Sequence, residues 1–234
     1  MKKKYLTFSY DDGVTQDVRL IELFNKYGMK ATFNLNSQLM GRGGELVRDG
    51  VRVTHIKNKA EDVRYIYACH EVAVHTLTHP NLVQLNDEKE IIRQVEEDRL
   101  CLSELCGYEV VGMAYPCGGV NYNRFVSDII KNQTGIKYAR TISTIQSFSI
   151  QNNLHEYKPT VYHHEAFDDM VRLGKQFLDL QAEEPQIFYI WGHAYEFDIN
   201  PERWKKFESF LEMMSGREDI CYCTNKEALV LRQA

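Results

Sequence analysis

Short apolar runs alternate with longer amphipathic stretches from one end of the chain to the other. Residues 5–9 form a compact apolar run that predicts a strand. Residues 17–27 then carry Val18, Leu20, Ile21, Leu23 and Phe24 at helical spacing, with Gly28 placed to stop the helix. Residues 30–35 predict a second strand. The rhythm breaks over residues 37–59, where Gly41, Gly43, Gly44 and Gly50 are interspersed with charges. This stretch predicts an excursion at 37–62, either a lid or a hairpin insertion. Regular patterning resumes at 64–69 and 71–75. The clearest helix is 87–106, with Asn86 as its expected cap and Ile91, Ile92, Val95, Leu102 and Leu105 along one face. Beyond it the pattern predicts strands at 110–115, 135–141, 186–191 and 220–223. Helices are expected at 122–133, 167–180, 201–214 and 225–232, and Pro201 is well suited to open its helix. Six or seven strand–helix alternations without a linker predict a single α/β domain over residues 1–234, built as a parallel barrel or a doubly wound sheet. Both architectures gather chemistry at the carboxyl ends of their strands.

Composition narrows the function classes. With 44% apolar and 26% charged residues the chain has ordinary globular usage, and its net charge of −5 argues against a nucleic-acid partner. No apolar run has the length of a membrane span, so no membrane partner is expected. The lysines at positions 2–4 are followed by Ser9, Asp11 and Asp12 rather than an apolar core, so no signal peptide is read. The expectation is a cytoplasmic protein, with an exported one that has lost its signal as the alternative. The six cysteines show no disulfide or zinc-ribbon spacing and are expected to be mostly reduced core residues. Oligomeric state is not legible.

Candidate chemistry sits where the strands end. Asp11 and Asp12 follow the first strand and precede Gly13, a pattern that also suits a solvated turn. Two adjacent carboxylates at a buried strand mouth raise each other's pKa unless a cation is shared between them. His75 and His79, four residues apart, can face one metal ion from a turn or compact loop. Two histidines and one of the two acids make the three-ligand set of an open catalytic metal site, whose charge would let both acids stay ionised. Further strand ends lead into Tyr115-Pro116-Cys117-Gly118-Gly119, Arg140 and Trp191-Gly192-His193.

Phe8-Ser9-Tyr10-Asp11-Asp12-Gly13, His75-Thr76-Leu77-Thr78-His79, Ala114-Tyr115-Pro116-Cys117-Gly118 and Trp191-Gly192-His193 together resemble the ordered motifs of the NodB-homology polysaccharide deacetylases. The resemblance implies a distorted (β/α) barrel with about seven parallel strands and metal-dependent removal of acetyl groups from N-acetylated, sometimes O-acetylated, sugars. It makes Asp12, His75 and His79 the metal ligands, Asp11 the general base, the backbone N–H of Cys117 an oxyanion donor and His193 the general acid. The expected cofactor is a divalent metal, Zn²⁺ first with Co²⁺ or Ni²⁺ as alternatives, and the expected partner is an acetylated oligo- or polysaccharide.

The departures from the family pattern are specific. Many members carry Arg where this chain has Ala114, and Arg140 at the next strand end is a candidate to stabilise ionised Asp11 instead. Trp191 stands where an aliphatic residue is usual and is either core or a stacking face for sugar. Tyr115, Pro116, His163 and His164 are further expected substrate contacts. Glu196, Asp198, Asp168 and Asp169 all remain candidates to hold His193 charged. Nothing in the sequence gives partners to His55, His70 or His155. A related barrel amidase acting on a small or cyclic amide, covered by the glycine-rich excursion, is the second reading. A carbohydrate-binding homologue without turnover is the third.

Overall fold

Eight parallel strands form the large sheet of the computed structural model, which describes residues 3–231. The chain begins with β1 (Lys4–Asp11), α1 (Asp17–Lys26) and β2 (Thr32–Leu35), then leaves the sheet for an antiparallel hairpin, β3 (Glu45–Arg48) and β4 (Val51–Thr54). After α2 (Val63–Ile66) come β5 (Glu71–Val74), α3 (Leu82–Leu85), α4 (Glu88–Cys106), β6 (Gly112–Ala114), α5 (Arg124–Gln133) and β7 (Tyr138–Arg140). The last third holds β8 (Val161–Tyr162), α6 (Phe167–Asp179), β9 (Gln186–His193), α7 (Glu202–Met214), β10 (Ile220–Tyr222) and α8 (Asn225–Leu229).

Strands run in the order β7-β6-β5-β2-β1-β9-β8, with β10 set beside β1 off that path. This is a distorted, partly closed (β/α) barrel, open between β7 and β8. The distortion has a visible source in β1. One edge of β1 pairs with β9 from Lys4↔Gln186 to Asp11↔His193, while its other edge is shared. There β10 takes residues 4–6 and β2 takes residues 9–11. The same register sets His193 on one side of Asp11 and Asn34 on the other, so two polar side chains meet the acid by pairing alone.

The strands are apolar on both faces because helices cover the outside of the sheet. Phe8 packs against Phe24 at 4.7 Å between ring centroids, and Phe197 against Phe207 at 4.8 Å. Each such fully buried ring contributes roughly 1.5–3 kcal/mol relative to exposure. Close approach at the site requires glycine at positions 13 and 192. A Cβ on Gly13, which also has φ +66°, would stand 2.6 Å from Leu35 Cδ2, and one on Gly192 would collide with the His163 ring.

Several boundaries differ from the sequence expectation. Asp87, not Asn86, caps α4 by accepting from Lys89 N at 3.0 Å, whereas Asn86 is left-handed at φ 49° and ends α3. The stretch at 64–69 lies in α2 and the turn after it, and β8, two residues long, carries too little periodicity to be read. The expected last residue of the final helix, Arg232, lies outside the described residues, as do Met1 and Lys2. None of the six cysteines forms a disulfide, but only Cys106 and Cys223 are buried, and Cys69 and Cys101 are exposed, so the core reading fails for most of them.

Candidate active site

Asp12, His75 and His79 converge at the carboxyl end of β1 and β5, with one ligand atom from each lying within 4.8 Å of the other two. Both imidazoles have Nδ1 occupied elsewhere. His75 Nδ1 meets the Ala114 carbonyl at 2.9 Å, and His79 Nδ1 faces Cys117 Sγ at 3.7 Å. Nε2 of His75 and of His79 is therefore turned toward the two acids, at 3.9 Å from Asp11 and 3.7 Å from Asp12 respectively. Burial lowers the pKa of both histidines, that of His75 to about 4, which keeps them neutral as ligation requires. A donor set of one carboxylate and two neutral imidazoles, oriented from behind, fits a divalent metal such as zinc.

The loop backbone is strained where it serves this cluster. Asp12, Thr76, His79 and Cys117 all have φ between 61° and 83°. Such conformations cost of order 1–3 kcal/mol each in non-glycine residues and persist where the surroundings impose them. Asn36 Nδ2 ties down the carbonyls of His75 and Thr76, and Asn121 Nδ2 reaches those of Pro116 and Cys117 at 3.0 and 2.9 Å.

Asp11 and Asp12 divide the available partners. Asp11 receives the fully buried Arg140 through Nη2 at 2.7 and 2.5 Å, and Asn34 at 2.7 Å. Burial acts to raise its pKa, but Arg140, His75 and His193 outweigh it and hold the carboxyl below its ordinary value. For Asp12 burial is outweighed by His55 and Lys57, and its pKa lies well below the usual range. Arg140 stacks at 4.4 Å on the face of Trp191, which in turn stacks on Tyr162 at 4.2 Å. Trp191 is thus at once nearly buried and a wall of the pocket.

His193 Nε2 stands 4.0 Å from Asp11, and its Nδ1 lies 3.3 Å from Glu196. Of the four acids considered from the sequence, it is Glu196 that holds this imidazole; Asp169 instead pairs with Arg172. Glu196 is fully buried and accepts from Tyr162 OH and the His193 backbone N–H, with Arg48 Nη2 at 3.3 Å and His163 Nε2 at 3.1 Å. Burial opposes the charge on His193, but Glu196, Asp11 and Asp12 raise its pKa to about 9.

These groups open into a cavity of about 420 Å³ whose wall includes Arg48, Tyr115, Cys117, Tyr162, Trp191 and Tyr195. Pro116, His163 and His164 do not line it, contrary to expectation. Pro116 is buried, His163 packs beneath Glu196 against Phe197, and His164 pairs with Asp49 at 3.0 Å and Arg203 at 2.6 Å. His70 and His155 have structural partners in Ala31 N and the Ile136 carbonyl. His55, to which the sequence gives no partner, stands on Asp12 at 3.2 Å. Lys57, Tyr195, Tyr162 and Arg48 also meet residues of the site without a signal in the sequence that marks them. The contacts of Lys57 with Asp12 and of Tyr162 and Arg48 with Glu196 span long sequence separations that leave no periodic trace, whereas Tyr195 lies two residues beyond His193 and beside its ring.

Comparison with known proteins agrees with this geometry. No curated protein matched the sequence. Among solved structures, Puue allantoinase superposes with a TM-score of 0.70 at 15% identity, covering 97% of this chain and 89% of that one. A putative polysaccharide deacetylase from Mycobacterium smegmatis gives 0.67 at 14% identity, covering 99% and 92%. Streptococcus pyogenes deacetylase PplD, in complex with acetate, gives 0.53 at 19% identity over 64% of this chain, which spans only 61% of that protein. These likenesses establish the fold. The polysaccharide deacetylase family model matches residues 1–139, the stretch that supplies Asp11 and all three residues of the Asp12–His75–His79 cluster, and the chain belongs to that family.

Proposed function

We propose that the protein is a metal-dependent hydrolase that removes acetyl groups from N-acetylated sugars. The observation that carries this reading is the gathering of Asp12, His75 and His79 with Asp11 and His193 around one pocket. Asp12, His75 and His79 would hold the ion. A divalent metal in such a set supplies a water that ionises near neutral pH and polarises the acetyl carbonyl. The roles of the chain's own groups follow from their surroundings. Asp11, kept ionised by Arg140 and Asn34, takes the proton of the attacking water. The Cys117 N–H faces the developing oxyanion. The Cys117 thiol, raised in pKa by burial and then by Asp12, is unsuited to act as a nucleophile. His193, held charged by Glu196, delivers a proton to the departing amine. Positioned acid–base groups are typically worth ~10²–10⁴-fold each.

The test is acetate release from N-acetylglucosamine and its oligomers by protein loaded with zinc, cobalt or nickel. Activity should vanish on chelation and fall by roughly 10²–10⁴-fold in Asp11→Asn. Absence of acetate with every metal and chain length would overturn the reading. A second reading, hydrolysis of a small amide, draws support from the β3–β4 arm. The arm brings Arg48 to the wall of the 420 Å³ cavity, a volume suited to a single small ligand. Turnover confined to small amides, with sugars inert, would favour it.

A further inference from the structure

The arm formed by β3 and β4 touches the candidate site at both ends. At its tip, Arg48 reaches Glu196, the partner of His193. At its base, the chain leaving β4 passes directly over Asp12. That outgoing segment is held by backbone bonds on both sides: His55 N to Gly44 O at 2.9 Å, Lys57 N to Arg42 O at 2.9 Å, and Asn58 N to Gly13 O at 2.8 Å. The side chains of His55 and Lys57 are thereby delivered from fixed points.

They treat the two oxygens of Asp12 differently. Oδ2 is taken by His55 Nε2 at 3.2 Å. Oδ1 is the oxygen nearest His79 Nε2, at 3.7 Å, with Lys57 Nζ at 3.3 Å. Lys57 spends its closer bonds on the framework, 2.7 Å to the Asp12 carbonyl and 2.9 Å to Asn36 Oδ1, which supports the left-handed backbone of Asp12. The His55 ring is braced edge-on against Tyr195 at 5.1 Å. A carboxylate held by one oxygen has lost the freedom to swing, and partners behind a ligand typically govern metal affinity by ~10–100-fold.

We propose that His55 is a positioning residue for Asp12: by holding Oδ2 it presents Oδ1 to the His75–His79 pair, and it makes docking of the β3–β4 arm part of metal binding. The proposal rests on the metal-site reading above. Its test is zinc affinity, measured by competition with a chromophoric chelator, with circular dichroism verifying that each variant is folded. His55→Phe keeps a ring against Tyr195 and removes the N–H, and should weaken zinc binding ~10–100-fold. His55→Gln, whose amide nitrogen reaches toward the same oxygen, should keep most of the affinity. Hydrogen exchange adds a readout independent of catalysis: zinc should protect amides of residues 45–57 in the wild type and lose that effect in His55→Phe. Wild-type affinity in His55→Phe would overturn the proposal. Equal weakening in both variants would also overturn it, because an N–H restored to the same oxygen would then recover nothing. A wild-type protein that binds no zinc would remove both this proposal and the metal-site reading. A zinc-binding wild type with an indifferent His55→Phe removes only this one.

Discussion

Arg140 carries a charge to a fully buried position at the end of β7, and Asp11 answers that charge from the end of β1, with β6, β5 and β2 lying between the two strands in the sheet. The pair is buried on both sides, so neither member can be removed alone without stranding the other. Arg140→Met should therefore destabilise the protein by about 3–5 kcal/mol, the usual cost of breaking a buried ion pair. Arg140→Met combined with Asp11→Asn should lose clearly less than the sum of the two single changes, because the uncompensated carboxylate is gone. Urea denaturation of the four proteins under chelation measures this coupling. Strict additivity would mean that the two side chains do not depend on each other. The sequence exposed Arg140 as a strand-end residue and Ala114 as a departure from the family pattern. It did not show that Trp191 would supply the aromatic face beneath the guanidinium.

At the scale of elements, β9 and the turn that follows it build the acid. β9 runs to His193, two residues beyond the expected strand end, and the turn returns Glu196 beneath the imidazole three residues later. The apolar run through residues 186–191 made the strand legible, whereas Gly192 and His193 read as loop because glycine and histidine are weak strand formers. Gly192 belongs in the strand because His163 packs where its Cβ would be. Glu196 has a measurable consequence. Against burial, Glu196 together with Asp11 and Asp12 raises the His193 pKa to about 9, above the ordinary 6.5, so the proton needed for amine departure is retained through the neutral range. The same shift stabilises the fold fully below the unfolded value and is lost as pH rises through about 9. Glu196→Gln keeps the shape but leaves burial to act on His193, which lowers its pKa. The alkaline limb of the kcat–pH profile should move to lower pH, with activity above the new limb falling about tenfold for each unit of displacement. An unchanged limb would show that another group sets it.

Across the whole molecule, the barrel was legible because short apolar runs alternate with amphipathic segments, and parallel pairing lines up on one rim those strand ends that carry acid, imidazole or guanidinium groups. The β3–β4 arm was legible only as an excursion rich in glycine. The contact it makes, His55 on Asp12, spans 43 residues and belongs to no period. The site is consequently assembled from the whole length of the chain, from Asp11 to Glu196, and the metal-ligand cluster joins β1 to the segment after β5. A ligand held by such distant segments binds the folded state and not the unfolded one, so it should stabilise the domain as a unit. At a free metal concentration 100-fold above the dissociation constant the gain is about 2.7 kcal/mol. For a domain of this length that corresponds to a rise of roughly 5–10 °C in Tm. Calorimetry across a zinc series should show Tm climbing with concentration in the wild type, and His79→Ala should flatten the dependence by removing a partly exposed ligand from the cluster without opening the core. A wild-type Tm indifferent to zinc, cobalt and nickel would mean that these three side chains do not act as ligands of one ion.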